Sequence, residues 1–394
     1  MAFMFVAPFP ASAGWRATTL TLAMVALVLA AARRRVSWPP APPRAIAIAG
    51  GAWIALCLAS VAWSTNVRYT VGELKPEVGY GMLAFAAFYA GTRTPRDAHR
   101  AIAAALAGAL LLALFEWIRA FFPGLYYAPR YAAVQGYYST HLVLVAPLLI
   151  LVAWPRPVGL GASRTVLALV AAGLLAGGLA SENRMLWLAL GVGTFAAFAA
   201  YRRLARPAAL PPGLRVAFLL GLAVIALLVA VSAEIKAQRH YPDGTGPLAA
   251  LALDQRPGIW AAAASAIAER PWLGHGFGRG IVADQIVQAT MRRGAEQPFR
   301  HGHNIVLDVA LQLGIAGVIA FGTLLGALAV EFARAARVAA TAPVGVAGLA
   351  MLAAFLAKNM TDDFLYRPNS LVFWALMGLL LRLAKPGTHP DFIG

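Results

Sequence analysis

Apolar residues run along most of the chain in windows of about 15 to 20, each closed by a short link rich in arginine, proline or glycine. The windows lie at 16–32, 43–63, 76–91, 99–118, 134–154, 163–180, 184–200, 213–231, 304–330, 343–360 and 368–383. A helix needs roughly 20 mainly apolar residues to cross a hydrocarbon core, and lipid leaves few other backbone geometries with their hydrogen bonds satisfied. The pattern therefore predicts an all-α polytopic membrane protein with about 11–12 transmembrane helices. The apolar piece 1–12, broken by Pro8 and Pro10, is either a twelfth span or an interfacial segment.

One link is out of proportion. Residues 232–303 hold roughly seventy positions without a span, far more than an ordinary connection. Tyr241–Pro247 reads as a turn-rich start, 248–269 as an amphipathic or buried helix divided by Pro257, and 280–292 as a second helix. Between the helices, Pro271 to Gly278 forms a tight glycine-rich connection. The chain thus divides into an amino-terminal bundle 1–231, a helical loop 232–303, carboxy-terminal helices 304–383 and a short tail 384–394.

Composition agrees with the windows. Of 394 residues, 60% are hydrophobic and 12% charged, too few charges to cover a soluble protein of this length. Arg33, Arg34 and Arg35 follow the first window without a small-residue cleavage motif, so this window reads as a retained span. The single cysteine, Cys57, excludes an intrachain disulfide and a cysteine metal cluster, and its apolar surroundings suit helix packing.

The net charge of +17 carries information through its placement. Arg33–Arg35 with Arg44, Arg93/Arg96/Arg100, Arg156/Arg164, Arg202/Arg203/Arg206/Arg215, Arg334/Arg337 and Arg382/Lys385 all fall on alternate links. The acids there are Asp97, Glu331 and Asp391. By the positive-inside tendency these links are cytoplasmic, and 64–75, 119–133, 181–183, 232–303 and 361–367 face the opposite side. The amino terminus is then outside with eleven spans and inside with twelve. The basic excess is an orientation signal with an attraction to anionic membrane lipids, and no nucleic acid is expected.

Several polar residues gather at the inferred outer face. Arg184 opens a span in Ser181-Glu182-Asn183-Arg184, where it suits a phosphate contact, an interfacial anchor or a pair with Glu182. Arg256 precedes Trp260 by one helical turn and suits a phosphate or a pair with Asp254 or Glu269. Gly274-His275-Gly276-Phe277-Gly278 offers backbone amides to an anion, without the lysine or strand of a nucleotide fingerprint.

The sharpest group is His301-Gly302-His303-Asn304, where the loop returns to the membrane. Histidine exchanges protons near neutral pH, and two of them across a glycine also admit a metal reading, though without an assured third ligand. Asn304, Asp308 and Gln312 form a polar stripe at four-residue spacing that orients a sugar or a histidine, or bonds between helices. His141, Arg119, Arg130, Lys358, Asp362, Asp363 and Arg367 lie at the same face, and Glu116 is placed to pair with Arg119.

In order, Ser181–Arg184, Arg256-Pro257-Gly258-Ile259-Trp260, Pro271–Gly278, and His303-Asn304 followed by Leu313-Gly314-Ile315-Ala316-Gly317 resemble the O-antigen ligase and polymerase superfamily, the ligase branch in particular. The resemblance is local over about 180–320. Glu182-Asn183 departs from the small hydroxyl residues common in relatives. What the resemblance implies is a GT-C-like inner-membrane glycosyltransferase, metal-independent and inverting, with a large periplasmic loop and no cofactor. Its donor would be an O-antigen on undecaprenyl diphosphate and its acceptor a sugar hydroxyl of lipid A-core oligosaccharide, completing lipopolysaccharide. Carried over, Arg184 and Arg256 would hold the donor diphosphate and His303 would act as base, with His301, Asn304, Asp308, His275 and His141 as supporting candidates. An O-antigen polymerase and a protein O-oligosaccharyltransferase share these needs. A lipid or glycan transporter would instead place charges along a full membrane crossing.

Overall fold

The structure is a computed structural model and describes residues 1–9, 11–33, 39–122, 135–154, 160–205, 212–240, 255–292, 298–362 and 365–385. Among them are helices and no strand. Seven helices are long and apolar enough to cross a membrane, and Tyr137–Ala153, Arg164–Ala180 and Pro368–Leu383 are shorter apolar helices. The protein is an all-α, multi-pass membrane protein.

The amino-terminal part comprises α1 (Ala2–Val6), α2 (Ala13–Ala32), α3 (Arg44–Ala59), α4 (Val67–Glu73), α5 (Tyr80–Gly91) and α6 (Pro95–Phe121). The window 76–91 is carried by a π-helical turn, Leu74–Gly79, that runs into α5. The piece 1–12 is no twelfth span: α1 has five residues, buries Phe3 and Met4 and packs on α6. A capping box of Thr94 and Asp97, with Pro95 in the first turn, starts α6.

Then come α7 (Gln135–Val145), α8 (Leu149–Ala153), α9 (Arg164–Ala180), α10 (Arg184–Ala200) and α11 (Pro212–His240). The last of these runs on past 231, into the stretch read as loop. The segment after it holds α12 (Arg256–Glu269) and α13 (Ala283–Met291). Pro257 does not divide a helix, as expected above, but sits in the first turn of α12. There the missing N–H is one the helix leaves unbonded anyway. Tyr241–Pro247, Asp254, Arg130 and Asp363 lie outside the described residues. The chain closes with α14 (Ile305–Ala336), α15 (Ala342–Asn359) and α16 (Pro368–Leu383).

Packing fixes the directions. Ala200 clusters with Ala336 and Val346, while a Cβ on Gly193 would meet Ala350 and Ala354, so α10 runs antiparallel to α15. Stepping back along α10 from Gly193 brings Arg184 level with the end of α15. Helix α5 runs parallel to α16: Glu77 meets Arg367, Gly81 lies against Trp374, Gly378 approaches the Phe85 carbonyl, and Arg382 donates to the Thr92 carbonyl. Small residues let these backbones close up, the usual device where lipid gives helices little hydrophobic reason to associate. The starts of α10, α14 and α16 therefore share one end of the bundle with the end of α15, and Arg202, Arg203, Arg334, Arg337, Arg382 and Lys385 lie at the other.

The glycine-rich connection explains a defect in α14. At Gly314 the helix breaks, with φ 62° and ψ −160°. The loop Pro271–Gly276 supplies the lost partners. His275 and Gly276 N–H donate to the Leu311 and Gln312 carbonyls at 2.9 Å each, while Ile315 and Ala316 N–H donate to the Pro271 and Trp272 carbonyls at 2.8 and 3.1 Å. Broken backbone in a membrane helix persists when its freed groups are satisfied in this way. A Cβ on Gly314 would lie 2.3 Å from the Trp272 carbonyl carbon, and one on Gly274 2.5 Å from the Gln312 carbonyl.

Candidate functional site

Among the described residues, three that are not glycine have positive φ: Glu182 (53°), His303 (49°) and Arg367 (53°). Each lies in the turn before a helix that starts at the same end of the bundle, α10, α14 and α16. Such conformations are sparsely populated and persist where surrounding contacts dictate them.

At His303 those contacts are visible. Asn304 caps α14 by accepting from the Val306 and Leu307 amides, and its Nδ2 donates to the Met360 carbonyl at 2.8 Å. This ties the start of α14 to the end of α15. The His303 ring lies between an edge-on Phe299 and a stacked His301, whose centroid is 3.9 Å away. Its Nδ1 is 3.3 Å from Asp362 Oδ1, while Lys358 Nζ donates to Asp362 Oδ2 at 2.9 Å. The Lys358 side chain is fully buried. On the same turn, Arg256 Nε donates to the Thr361 carbonyl at 2.9 Å.

These contacts set the protonation of the site. Burial alone would raise the Asp362 carboxyl, but Lys358, the His303 hydrogen bond and Arg256 together hold it well below the usual carboxylate range. An ionised carboxylate only accepts, so the proton of neutral His303 sits on Nδ1 and the lone pair on Nε2. The Nε2 has no hydrogen bond among the described residues, on a side chain 23% exposed.

His301 is wired differently. Its Nε2 lies 2.6 Å from Arg279 Nη2 and its Nδ1 3.1 Å from Asp308 Oδ2. The His303 backbone N–H also donates to His301 Nδ1 at 3.1 Å, so both ring nitrogens are engaged. Asp308 Oδ1 also accepts from the Gly302 amide at 2.6 Å. Gln312 completes the stripe: its Nε2 donates to the Asp308 carbonyl and its Oε1 accepts from the Gly278 amide.

Other predicted residues fall outside this network. Arg184 lies at the first position of α10, after the Asn183 cap, level with Asp362. It makes no hydrogen bond or ion pair among the described residues, with Glu182 included. His275 is buried, with Nε2 2.9 Å from the Ala266 carbonyl, and serves the loop's packing. His141 is buried in α7 with neither ring nitrogen bonded among the described residues. Arg119 pairs with Glu116 as expected and reaches the Ala180 carbonyl. The glycine-rich loop is not an anion nest. Besides the amides given to α14, Phe277 N–H donates to Ser60 Oγ and Gly280 N–H to the Tyr69 hydroxyl. Cys57 packs against Phe277 and Leu313, beneath the loop.

Sequence reasoning missed the opposite flank. Arg367 Nη2 donates to Glu73 Oε1 at 2.7 Å and its backbone amide to Glu77 at 3.0 Å. Tyr366 lies between the Arg367 and Arg279 guanidiniums, and burial pushes its hydroxyl up to about 12, so it stays protonated. Glu73 and Glu77, one helical turn apart in a chain poor in acids, were the available signal. Glu77, Tyr366, Arg279 and Gln312 line a cavity of about 60 Å³. It shares Trp53, Glu77, Val78 and Trp374 with an apolar groove of about 340 Å³ along α3 and α5. It shares Ile305, Val309 and Phe321 with a second groove, about 300 Å³, between α14 and α15.

A polar centre at one end of a membrane bundle, reached by apolar grooves from two sides, suits chemistry on lipid-borne molecules. No curated protein matches the chain. Residues 167–322 match the family model described as O-antigen ligase, from α9 through the break in α14 and including Arg184, Arg256 and His303. Through that stretch the chain is similar to the O-antigen ligase family, membrane glycosyltransferase-like enzymes of ligase and polymerase type.

Proposed function

We propose that the protein is an O-antigen ligase that transfers polysaccharide from undecaprenyl diphosphate to a sugar hydroxyl of lipid A-core oligosaccharide. The observation that carries this reading is the Lys358–Asp362–His303 chain, which engages Nδ1 and leaves Nε2 without a hydrogen bond among the described residues, with Arg256 held on the neighbouring Thr361 carbonyl. The acceptor oxygen attacks the anomeric carbon as its proton passes to His303 Nε2. The bond from that carbon to the diphosphate oxygen breaks, and the electron pair leaves with the diphosphate. Attack opposite the leaving group inverts the anomeric centre.

Arg256 and Arg184 oppose the charge that grows on the departing diphosphate, and the helix starts at the same end add partial positive charge. A diphosphate so compensated leaves without an acid to protonate it, and neither cofactor nor metal enters these steps. The basic links at the far end orient that end toward the cytoplasm of the inner membrane, so the site faces the periplasm.

The test incubates purified protein with undecaprenyl-diphosphate glycan and lipid A-core, or with a second lipid-linked glycan as acceptor, and resolves products by mass spectrometry. The expected product is glycan joined to lipid A-core, with release of undecaprenyl diphosphate. Product with the second lipid-linked glycan alone would make the protein a polymerase, and no product from folded protein would end the proposal.

A further inference from the structure

The groove along α3 and α5 has features that the transfer step does not use. It is lined by Ile46, Gly50, Gly51 and Ile54 from α3, by α5, and by Trp374 from α16. Along the π-helical turn and α5 it extends from Val78 to Ala90, about 18 Å at the helical rise, more than half of a roughly 30 Å hydrocarbon core. Its far end is closed by Pro39–Pro42, where Tyr89 and Lys385 both donate to the Ala41 carbonyl. Its near end opens into the cavity below His301 and Arg279.

The charged side chain in this groove's lining is Glu77. The lining of this groove offers a diphosphate no cation, its carboxylate Glu77 being already bound by Arg367, whereas Glu77, Tyr366 and Gln312 give hydroxyl groups several hydrogen-bonding partners. The second groove differs. It is lined by Leu352 and Leu356 of α15, the latter about half a turn before Lys358 and under two turns before Asp362, and so runs toward the flank where Arg256 lies. We infer that the α3/α5 groove seats a hydrocarbon chain of the lipid acceptor, delivering its sugar to His303 from the side opposite the phosphate-binding arginines. The inference rests on the transferase reading above and adds where the second lipid sits.

Bulk in the groove tests it. A Cβ on Gly51 meets nothing within 4 Å, so Gly51→Phe starts from open space in the groove lining. Met82, also in the lining and 48% exposed, gives a second variant, Met82→Trp, should the first fail to fold. Transfer is measured with intact lipid A-core and with the same oligosaccharide stripped of its acyl chains. The expected result is a rise of about tenfold or more in KM for the intact acceptor. The donor KM and the rate with the stripped acceptor stay within twofold of wild type. A rise in donor KM instead would make this the donor's groove, and unchanged kinetics would mean that bulk lipid alone fills it. Equal loss with both acceptors would show a structural fault; each of these outcomes overturns the inference. Failure of wild-type protein to transfer to either acceptor would instead remove the reading beneath it.

Discussion

His303 and His301 are two residues apart, stacked, and surrounded by carboxylates and cations of the same kinds, yet the two flanks leave them with opposite capacities. On the Asp308 flank both ring nitrogens are engaged, by a carboxylate and by Arg279. On the Asp362 flank one nitrogen is engaged and the lysine is spent on the carboxylate, leaving Nε2 for another partner. The difference lies in where the cation binds. Arg279 binds the imidazole itself and closes it, whereas Lys358 binds the carboxylate behind the imidazole and leaves it open. A His–Asp pair is therefore weak guidance to a base until the remaining nitrogen is accounted for.

The strongest way to break this comparison is to exchange the histidines one at a time. His303→Ala should lower the transfer rate by about 10²–10⁴-fold, the range for a lost general base. His301→Ala should cost about tenfold or less, through loss of the stack and of its bonds to Arg279 and Asp308. Single-turnover assays on folded protein read both rates, and equal losses would show that the flanks are not divided as described.

Next in size is the effect on stability. Asp362→Asn leaves the fully buried Lys358 without its anion and should destabilise the protein by about 3–5 kcal/mol, the range for half of a broken buried pair. Asp308→Asn faces no buried lysine and should cost less, about 1–3 kcal/mol for the hydrogen bonds it weakens. Thermal unfolding in detergent orders the two, and the reverse order would place the more costly buried charge on the wrong flank.

Much of this was legible in the sequence. Every apolar window falls on a helix, because span length and lipid leave few alternatives. The residues at the loop's return were readable too, as histidines and a capping asparagine before an apolar run. What stayed hidden was pairing at a distance. Leu313-Gly314 and Pro271–Gly278 were both visible as glycine-bearing motifs, but nothing in one states that its carbonyls are the other's partners. The Arg367 link to Glu73 and Glu77 joins residues 294 and 290 positions apart. Lys358 and Asp362, one turn apart, looked like ordinary polar residues at a span's edge until α14 brought His303 against them.

That interlock supplies a smaller test. Gly314→Ala puts a methyl group against the Trp272 carbonyl in a left-handed conformation, and should cost about 1–3 kcal/mol of stability. Because His303 lies on the loop return above the break, the transfer rate should fall as well. Gly322→Ala, farther along α14 with open space around its Cβ, is the control and should leave both unchanged or slightly improved. A Gly314→Ala protein as stable as its control would show that the loop does not depend on the break.

The smallest expected effect is one of pH. The Asp362 carboxyl is held below its ordinary value, so its pairing contributes stability that is fully present above the unfolded carboxylate value of about 3.9 and is lost as pH falls through the folded one. The difference in unfolding temperature between wild type and Asp362→Asn should therefore stay level from about pH 5 to 8 and narrow only in stronger acid. Any change in transfer rate across that neutral range then belongs to groups other than Asp362. A stability difference that already narrowed on going from about pH 8 to 6 would mean that the carboxylate is not held ionised, and with it the assignment of the proton to His303 Nδ1 would fall.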